Sequence, residues 1–529
     1  MKKIICLLLS VVFILAILSG CSSTAGSSAD TSAADTASES TETNDTSSSN
    51  AEKTGFKPGD FPGEPPEGFD GEFPGEPPED FNGERPEGFP GEPPEGFSGG
   101  KPGERPEGSS SGGNRPGGKP GSGSKSIEYS GATEISSSDE QSIKTYSSTK
   151  TDQSALLIST SDDVTISDPT VTKTGDSDGG DNCSFYGVNA AVLVKGGTET
   201  TITGGTVTSD ATGANGVFCY GGNGGKNGAT GDGTTLYITD TVINTTGDGS
   251  GGIMTTGGGI TYATDLEVTT SGRSSAAIRT DRGGGTVNVE GGTYTTSGIG
   301  SPAIYSTADV TAAYATLISE QSEGICIEGL NSVTLINCDL TADNTKCNSN
   351  ATFNDTVMIY QSMSGDAASG TSTFTMSGGS ITSRNGHVFH VTNTSAVIEL
   401  SEVKIVNKDE ENILLSVCAD GWSGGSNEAV LKAVSQKLEG TILVGSDSSF
   451  TLELSSSSSF TGTFSGDITN AKGSIVSSEI GEVTVKLDSN CTWTLTGDTY
   501  ITKFSGSAKN VISNGYTLYV NGTPLTGTK

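Results

Sequence analysis

One short pattern recurs from residue 190 to residue 415, and it constrains the fold of this chain more than any other feature. Each copy begins with small residues and places a β-branched aliphatic residue at its third position. These third positions are Val192, Val217, Ile253, Ile278, Ile304, Ile325, Val357, Val388 and Ile413. Two more short segments rich in Thr and Val usually follow, as in TVNVEGGTYTT at 286–296.

Three short strands per repeat, separated by Gly, Asn or Asp, are typical of a parallel β-helix. Each coil of such a solenoid stacks on the next about 4.8 Å away, so equivalent residues form ladders through the interior. The most closely spaced third positions are 21 to 26 residues apart, which is enough for one coil. We therefore predict an all-β domain at 126–529, a parallel β-helix of roughly a dozen coils.

The N-terminus is typical of a bacterial export signal. A positive start (MKK) precedes an apolar run at 4–18, and the letters LSGC end at Cys21. The run is short for a transmembrane helix and fits a signal peptide better, although an uncleaved anchor is the alternative. LSGC resembles the lipobox of bacterial lipoproteins, which implies removal of residues 1–20 and a lipid on Cys21. We expect a protein anchored to the cell membrane by lipid and displayed at the cell surface.

Two segments of different composition separate Cys21 from the repeats. Residues 21–54 are mostly Ser, Thr, Ala, Asp and Glu, bury almost nothing and are predicted to be disordered. Residues 55–125 repeat segments such as FPGEPPEGF, at 61–69 and 89–97. Proline favours extended chain and like-charged glutamates repel one another, so we interpret 55–125 as an acidic Pro/Gly/Glu/Phe spacer. The alternative is that its phenylalanines and glutamates form a binding motif.

Several segments of the repeat region resemble a known group of proteins. They are SFYGVNAAVL, SGGIMTTGGG, AAIRTDRGGGTV, GSPAIYSTAD, IYQSMSGDA and FHVTNTSA, together with TWTLTGDTYITKF at 492–504. In these segments the chain resembles clostridial surface β-helix lipoproteins, described as adhesin-like or carbohydrate-binding. The resemblance implies a right-handed, pectin-lyase-like solenoid, and the general rule for parallel crossovers favours the same hand.

The residues beside the inward ladder predict a groove. Alternation sends the fourth position of each copy outward and the fifth, including His390, inward. The fourth positions are largely apolar, so something should cover them. Insertions occur at both ends of the strands that carry these positions, which predicts a wall along each edge of their sheet. The copies from Ile253 to Ile304 have no insertions, which predicts an open floor there. The residues predicted to bind a ligand are Phe218, Tyr220, Met254, Arg279, Asp281, Arg282, Tyr305, Glu328, Met358 and Tyr360.

Two arginines flank an aspartate at 279–282, in a chain whose formal net charge is −34. Beside aromatic residues these charges favour a polysaccharide or cell-surface glycan as the ligand. Aromatic rings stack on sugar faces, and charged groups hydrogen-bond to hydroxyls or carboxylates. The alternative is a pair of surface salt bridges with no ligand.

Binding without catalysis is the function we expect. Arg279, Arg282 or Lys195 could supply the base of a lyase, but Asp281 and Glu328 lie on rungs roughly 10 Å apart, too far for one calcium ion. A hydrolase pair is compatible with that spacing. A lyase or glycoside hydrolase acting on an acidic glycan is therefore the catalytic alternative.

A structural display rod without a ligand is a third possibility. Complete burial of Phe218, Met254, Tyr305 and Met358 would favour it, since the predicted groove would then be a core. The acidic balance argues against nucleic acid as a partner.

The sequence suggests one candidate metal site and no catalytic nucleophile. No cofactor is required, and calcium is the one cation suggested, at GDSDGGD through Asp176, Asp178 and Asp181. A solvated acidic loop is the simpler interpretation. No Ser-His-Asp set is recognisable, and His390 is predicted to be a core residue.

Overall fold

The computed structural model describes residues 127–177, 180–224 and 230–529. The predicted signal peptide, linker and spacer at 1–125 lie outside these residues. The described chain is almost entirely β, and each of the first ten coils contributes one strand in turn to each of three long sheets. All strand pairs within these three sheets are parallel. The predicted parallel β-helix is confirmed.

The three sheets are numbered by the order in which the chain enters them. Sheet 1 contains Gly131–Ile135, Ser154–Ser159, Val192–Lys195, Val217–Tyr220, Ile253–Thr256, Ile278–Thr280, Ile304–Ser306, Ile325–Glu328, Asp355–Tyr360, His387–Thr392, Ile413–Val417, Thr441–Val444 and Phe464–Ser465. Sheet 2 contains Asp139–Ser142, Val164–Ser167, Glu199–Thr203, Thr235–Thr239, Gly259–Thr264, Gly285–Glu290, Asp309–Ala313, Ser332–Ile336, Thr371–Ser377, Thr394–Ser401, Asn427–Val434, Ser448–Ser455, Glu482–Leu487 and Lys503–Ser505. Sheet 3 contains Thr145–Ser148, Thr170–Lys173, Thr206–Ser209, Val242–Thr245, Glu267–Thr270, Thr293–Thr296, Thr316–Ser319, Asp339–Ala342, Ser380–Ser383 and Lys404–Asn407.

Smaller sheets complete the last coils. A four-stranded sheet continues the position of sheet 3 with Lys437–Glu439, Ser459–Gly462, Thr492–Leu495 and Val511–Ile512. A hairpin pairs Asp467–Thr469 with Ile475–Ser478, and the terminal sheet contains Thr499–Ile501, Leu518–Val520 and Thr523–Pro524. The helical segments in the described residues are α1 (Asp181–Tyr186) and a 3₁₀ turn (Ala508–Asn510). No helix in this part of the chain is long and apolar enough to cross a membrane.

In each of the first twelve coils, the first residue that turns the chain from sheet 2 into the next sheet has a positive φ. Its φ lies between +48° and +69°, a region that favours Gly, Asn and Asp. These residues are Ile143, Asp168, Gly204, Asp240, Asp265, Gly291, Tyr314, Asn337, Gly378, Glu402, Ser435 and Ser456. The stacked corners keep successive coils in register.

The predicted inward ladder is confirmed from Val192 to Val357. Val217 pairs with Val192 and Ile253, and the register then continues in step to Val357. These side chains are buried in one continuous core with the inward residues of sheets 2 and 3. Stacking Val and Ile side chains in register packs the interior closely, which stabilises every coil through its neighbours.

The predicted register is wrong in the next two coils, by one residue at Val388 and by two residues at Ile413. Val357 pairs with Phe389, and Phe389 pairs with Leu415, so Val388 and Ile413 are not on the ladder. Every residue of His387–Thr392 is buried. Because both faces of this strand are covered, alternation of apolar and polar residues could not reveal its register. His390 therefore occupies the outward fourth position and not the predicted inward one.

Candidate functional site

The outward face of sheet 1 is covered at its N-terminal end. Leu157, Ala190, Leu193, Phe218, Tyr220 and Met254 form a second buried apolar cluster, against which Tyr129 and Tyr186 pack. Helix α1 lies over it, and the Thr256 hydroxyl donates a hydrogen bond to the Phe185 carbonyl (2.7 Å). Gly187 ends the helix with φ +75°, and a Cβ there would lie 2.7 Å from Leu193. We call α1 and the residues beneath it the N-terminal cover.

The predicted open floor is therefore wrong at Met254, which is 1% exposed, and Phe218 is 0% exposed. Met358, further along the ladder, is 3% exposed. The insertion before Asn189 folds back over neighbouring coils as α1, so it forms a cover instead of a wall. Of the four residues chosen to distinguish a groove from a rod, Tyr305 alone is partly exposed.

Beyond this cover lies a polar segment, which we call the central network. Arg279 and Asp281 form an ion pair of 2.9 Å, with side chains 14% and 8% exposed. Arg279 also donates to the Ser184 hydroxyl (3.3 Å), and Asp281 accepts from the Arg282 backbone N–H (3.0 Å). The hydrogen bond from Arg279 to Ser184 of α1 thus attaches the N-terminal cover to sheet 1.

Arg282 connects two covering segments. Its guanidinium lies 4.2 Å from the centre of the Phe185 ring and 2.5 Å from an Asp366 carboxylate oxygen. Asp366 belongs to the insertion between Tyr360 and Thr371. Both arginines are therefore already paired, and they act as braces as well as candidate ligand contacts.

The second half of the central network is organised around Glu328. Its Oε2 accepts hydrogen bonds from Tyr305 (2.5 Å) and Tyr360 (3.2 Å), and its Oε1 accepts one from Ser362. The ring of Trp422 lies 4.8 Å from that of Tyr360, at 52°. Trp422 and Tyr360 are both partly exposed. Glu328 itself is buried, so a ligand can reach this group at the partly exposed rings of Tyr360 and Trp422.

Burial changes the proton affinities in this network. It raises the pKa of Asp281 to about 6, an effect that Arg279 partly offsets. Burial, together with Glu328, also raises the pKa of Tyr305 and of Tyr360 well above the usual value of 10, so both hydroxyls stay protonated and donate.

A second polar group lies further along the outward face of sheet 1, and we call it the C-terminal cluster. Ser416 Oγ lies 2.7 Å from Nδ1 of both His387 and His390, and His390 Nε2 lies 3.4 Å from Asp420 Oδ2. The expectation that no Ser-His-Asp set exists is therefore wrong. The register error concealed it, because it placed His390 inside the coil.

The C-terminal cluster is closed to solvent. Ser416 and His390 are 0% exposed, and Phe353 stacks 4.8 Å from the His390 ring. Phe353 belongs to a further apolar cluster with Ile468 of the 467–478 hairpin. Asp420 accepts from both the backbone N–H and the hydroxyl of Thr352 (2.9 and 2.6 Å), which ties down the loop before Asp355. This set braces a cover and has no access for a substrate.

The candidate calcium loop is only partly described. Asp178 lies outside the described residues, Asp176 accepts from the Thr212 backbone N–H (2.8 Å), and Asp181 begins α1. Within the residues that the structure places, no three His, Cys, Asp or Glu side chains are grouped closely enough to hold a metal ion.

The structure brings Arg279, Asp281, Arg282, Tyr305, Glu328 and Tyr360 together. The other four predicted residues, Phe218, Tyr220, Met254 and Met358, are buried apolar neighbours of this group on the same face of sheet 1. Sequence reasoning missed Ser362, Asp366 and Trp422, which reach the network from insertions. The GWSGG segment at 421–425 was the one available signal for Trp422. Comparisons with protein-family models, curated proteins and solved structures find no match.

Proposed function

We propose that this protein is a cell-surface lipoprotein, anchored through Cys21, whose β-helix binds a glycan without catalysis. The carrying observation is the partly exposed Trp422 packed against Tyr360, whose hydroxyl is held by Glu328. The three hydroxyl donors fix Glu328, so the neighbouring rings are positioned before a ligand arrives.

Accessibility restricts the binding surface to one end of the central network. The apolar ladder from Phe218 to Met254 is buried and cannot contact a ligand. Tyr305, Tyr360 and Trp422 are partly exposed. We infer that the sugar stacks at Trp422, while Arg279 and Arg282 hold the covers that shape the site.

A display rod without a ligand is the second candidate, and the burial of Phe218, Met254 and Met358 favours it. In that case the central network would only attach covering segments to sheet 1. The two candidates predict different solvent accessibility of Trp422. A bound sugar would cover Trp422, whereas in a rod without a ligand its exposure would not change when glycans are added.

Tryptophan fluorescence provides the test, since the chain has two tryptophans and Trp493 is fully buried. Iodide quenching of the full chain therefore reports Trp422. After a glycan array identifies a ligand, that glycan should protect Trp422 from quenching. Trp422→Ala should weaken binding by about 2 kcal/mol, the scale of a central aromatic contact.

Tyr500→Ala is the matched control, because Tyr500 is a 52% exposed aromatic residue in the terminal sheet. It should leave glycan binding unchanged. Array samples assayed for released product test the catalytic alternative at the same time. No binding to any glycan, with a Trp422→Ala variant identical to wild type, would favour the rod.

A further inference from the structure

A groove runs along the corner between sheets 1 and 2, outside the central network. It consists of two clefts, one of about 380 Å³ between Gly284 and Thr373 and one of about 480 Å³ between Gln361 and Ser426. Thr371 lines both clefts, so they adjoin. We call the combined feature the corner groove.

The corner groove crosses six consecutive coils. Its lining comes from the turns that lead into the sheet 2 strands from Gly285–Glu290 to Asn427–Val434. With about 4.8 Å between coils, the groove extends roughly 24 Å. That length suits an extended chain better than a single small molecule.

The lining is polar but almost without charge. Among the described lining residues Asp309 is the one that is charged, and the Ser332 hydroxyl donates to that carboxylate (2.8 Å). The other polar side chains are the hydroxyls and amides of Ser, Thr, Asn and Gln. The Gln361 side chain is held in place, because its amide nitrogen donates to the backbone carbonyl of Ser362 (3.2 Å).

Two apolar side chains are exposed along the groove. Leu330 is 51% and Met363 is 61% exposed, one in each cleft. Sugar rings have apolar faces between their hydroxyls, so isolated apolar contacts among hydrogen-bonding groups match them. Ser362 both lines the second cleft and donates to Glu328, and Ser423 of the same cleft follows Trp422 in the chain. The groove therefore continues from the proposed sugar site.

We propose that the corner groove binds an extended, uncharged polysaccharide chain, with Trp422 at one end. This inference rests on the proposed glycan-binding function and specifies its ligand class. An acidic glycan would need cationic partners, and none of the described residues that line the groove is Lys or Arg. Arg279 and Arg282 are occupied by Asp281 and Asp366, and the net charge of −34 repels polyanions.

The test titrates the full chain with neutral and acidic oligosaccharides of increasing length. Cello-, laminari- and N-acetylated chito-oligosaccharides are the neutral probes, and oligogalacturonates are the acidic ones. One neutral series should bind, with an affinity that rises from dimer to hexamer as more coils are contacted. Thr371→Arg, at the junction of the clefts, should weaken that binding at least about tenfold.

Thr382→Arg is the matched control, since Thr382 lies in the same coil on sheet 3, and it should bind as wild type. Met363→Ala provides a second groove variant if melting shows that Thr371→Arg does not fold. Binding confined to acidic probes, or binding lost in Trp422→Ala but unchanged in both groove variants, would overturn the corner groove and leave glycan binding intact. Absence of binding to every probe and to the array would overturn both.

Discussion

The central network and the C-terminal cluster use similar residues on the same face of sheet 1, yet they differ in access to solvent. The central network pairs carboxylates with arginines and leaves Tyr360 and Trp422 partly exposed. The C-terminal cluster pairs Asp420 with His390 beneath Phe353, and the His390 and Asp420 side chains are fully buried. A Ser-His-Asp set that is accessible to solvent would suggest a catalytic nucleophile. Beneath an apolar loop, the same set instead attaches that loop to sheet 1.

The choice of arginine or histidine beside the carboxylate follows from this difference. Arginine stays charged and weakly hydrated, so it suits a partly exposed pair that holds two covers. Histidine can be buried neutral, and burial lowers the pKa of His387 to about 3, with His390 adding to the effect. The two regions should therefore respond to pH in opposite directions.

The largest expected effect is the acid sensitivity of the C-terminal cluster. His387 takes up a proton near pH 6.5 when unfolded and near 3 when folded. Its contribution is complete above pH 6.5 and is lost as the pH falls towards 3, on the order of 5 kcal/mol. His387→Phe should flatten this part of the curve of unfolding free energy against pH, measured by urea denaturation. An unchanged acid limb would contradict the buried neutral histidine.

Breaking the buried pair should cost almost as much at neutral pH. His390→Ala leaves the buried Asp420 carboxylate without its neighbouring imidazole, and an unsatisfied buried charged group typically costs about 3 kcal/mol or more. The control is Lys432→Ala, because Lys432 and Glu399 form an ion pair of 2.6 Å with both side chains 43% exposed. That variant should lose at most about 1 kcal/mol. Equal losses in the two variants would show that the C-terminal cluster is not closed.

Asp281 should give a pH dependence of the opposite sign. Its pKa is about 6 in the folded chain and about 3.8 as an isolated group, so the folded state holds the proton more tightly. Its contribution is complete below pH 4 and is lost as the pH rises through 6, about 3 kcal/mol. Asp281→Asn should therefore make stability rise more steeply with pH between 4 and 6, whereas His387→Phe makes it rise less. Slope changes of the same sign would refute the contrast.

Sequence predicted the inside of the solenoid better than its covers. Ile278 and Ile304 could be placed because a β-branched residue recurs at the same position of each copy, and the coil directs these side chains inward. The register failed at Val388, where apolar residues occupy both faces of the strand. Arg279 and Asp281 lie two residues apart and were predictable as neighbours. Arg282 and Asp366 are 84 residues apart and meet only because an insertion folds back, which no local pattern specifies.

The smallest effects distinguish the two arginines of the central network. Arg279→Ala leaves Asp281 buried without its partner, so it should reduce the unfolding free energy by about 1–3 kcal/mol, more than an exposed pair would. Arg282→Ala, whose pair with Asp366 is 32% and 22% exposed, should cost at most about 1 kcal/mol, including its contact with Phe185. Urea denaturation at pH 7 measures both. If Arg279→Ala costs nothing and weakens glycan binding instead, Arg279 contacts the ligand directly and is not a brace of the N-terminal cover.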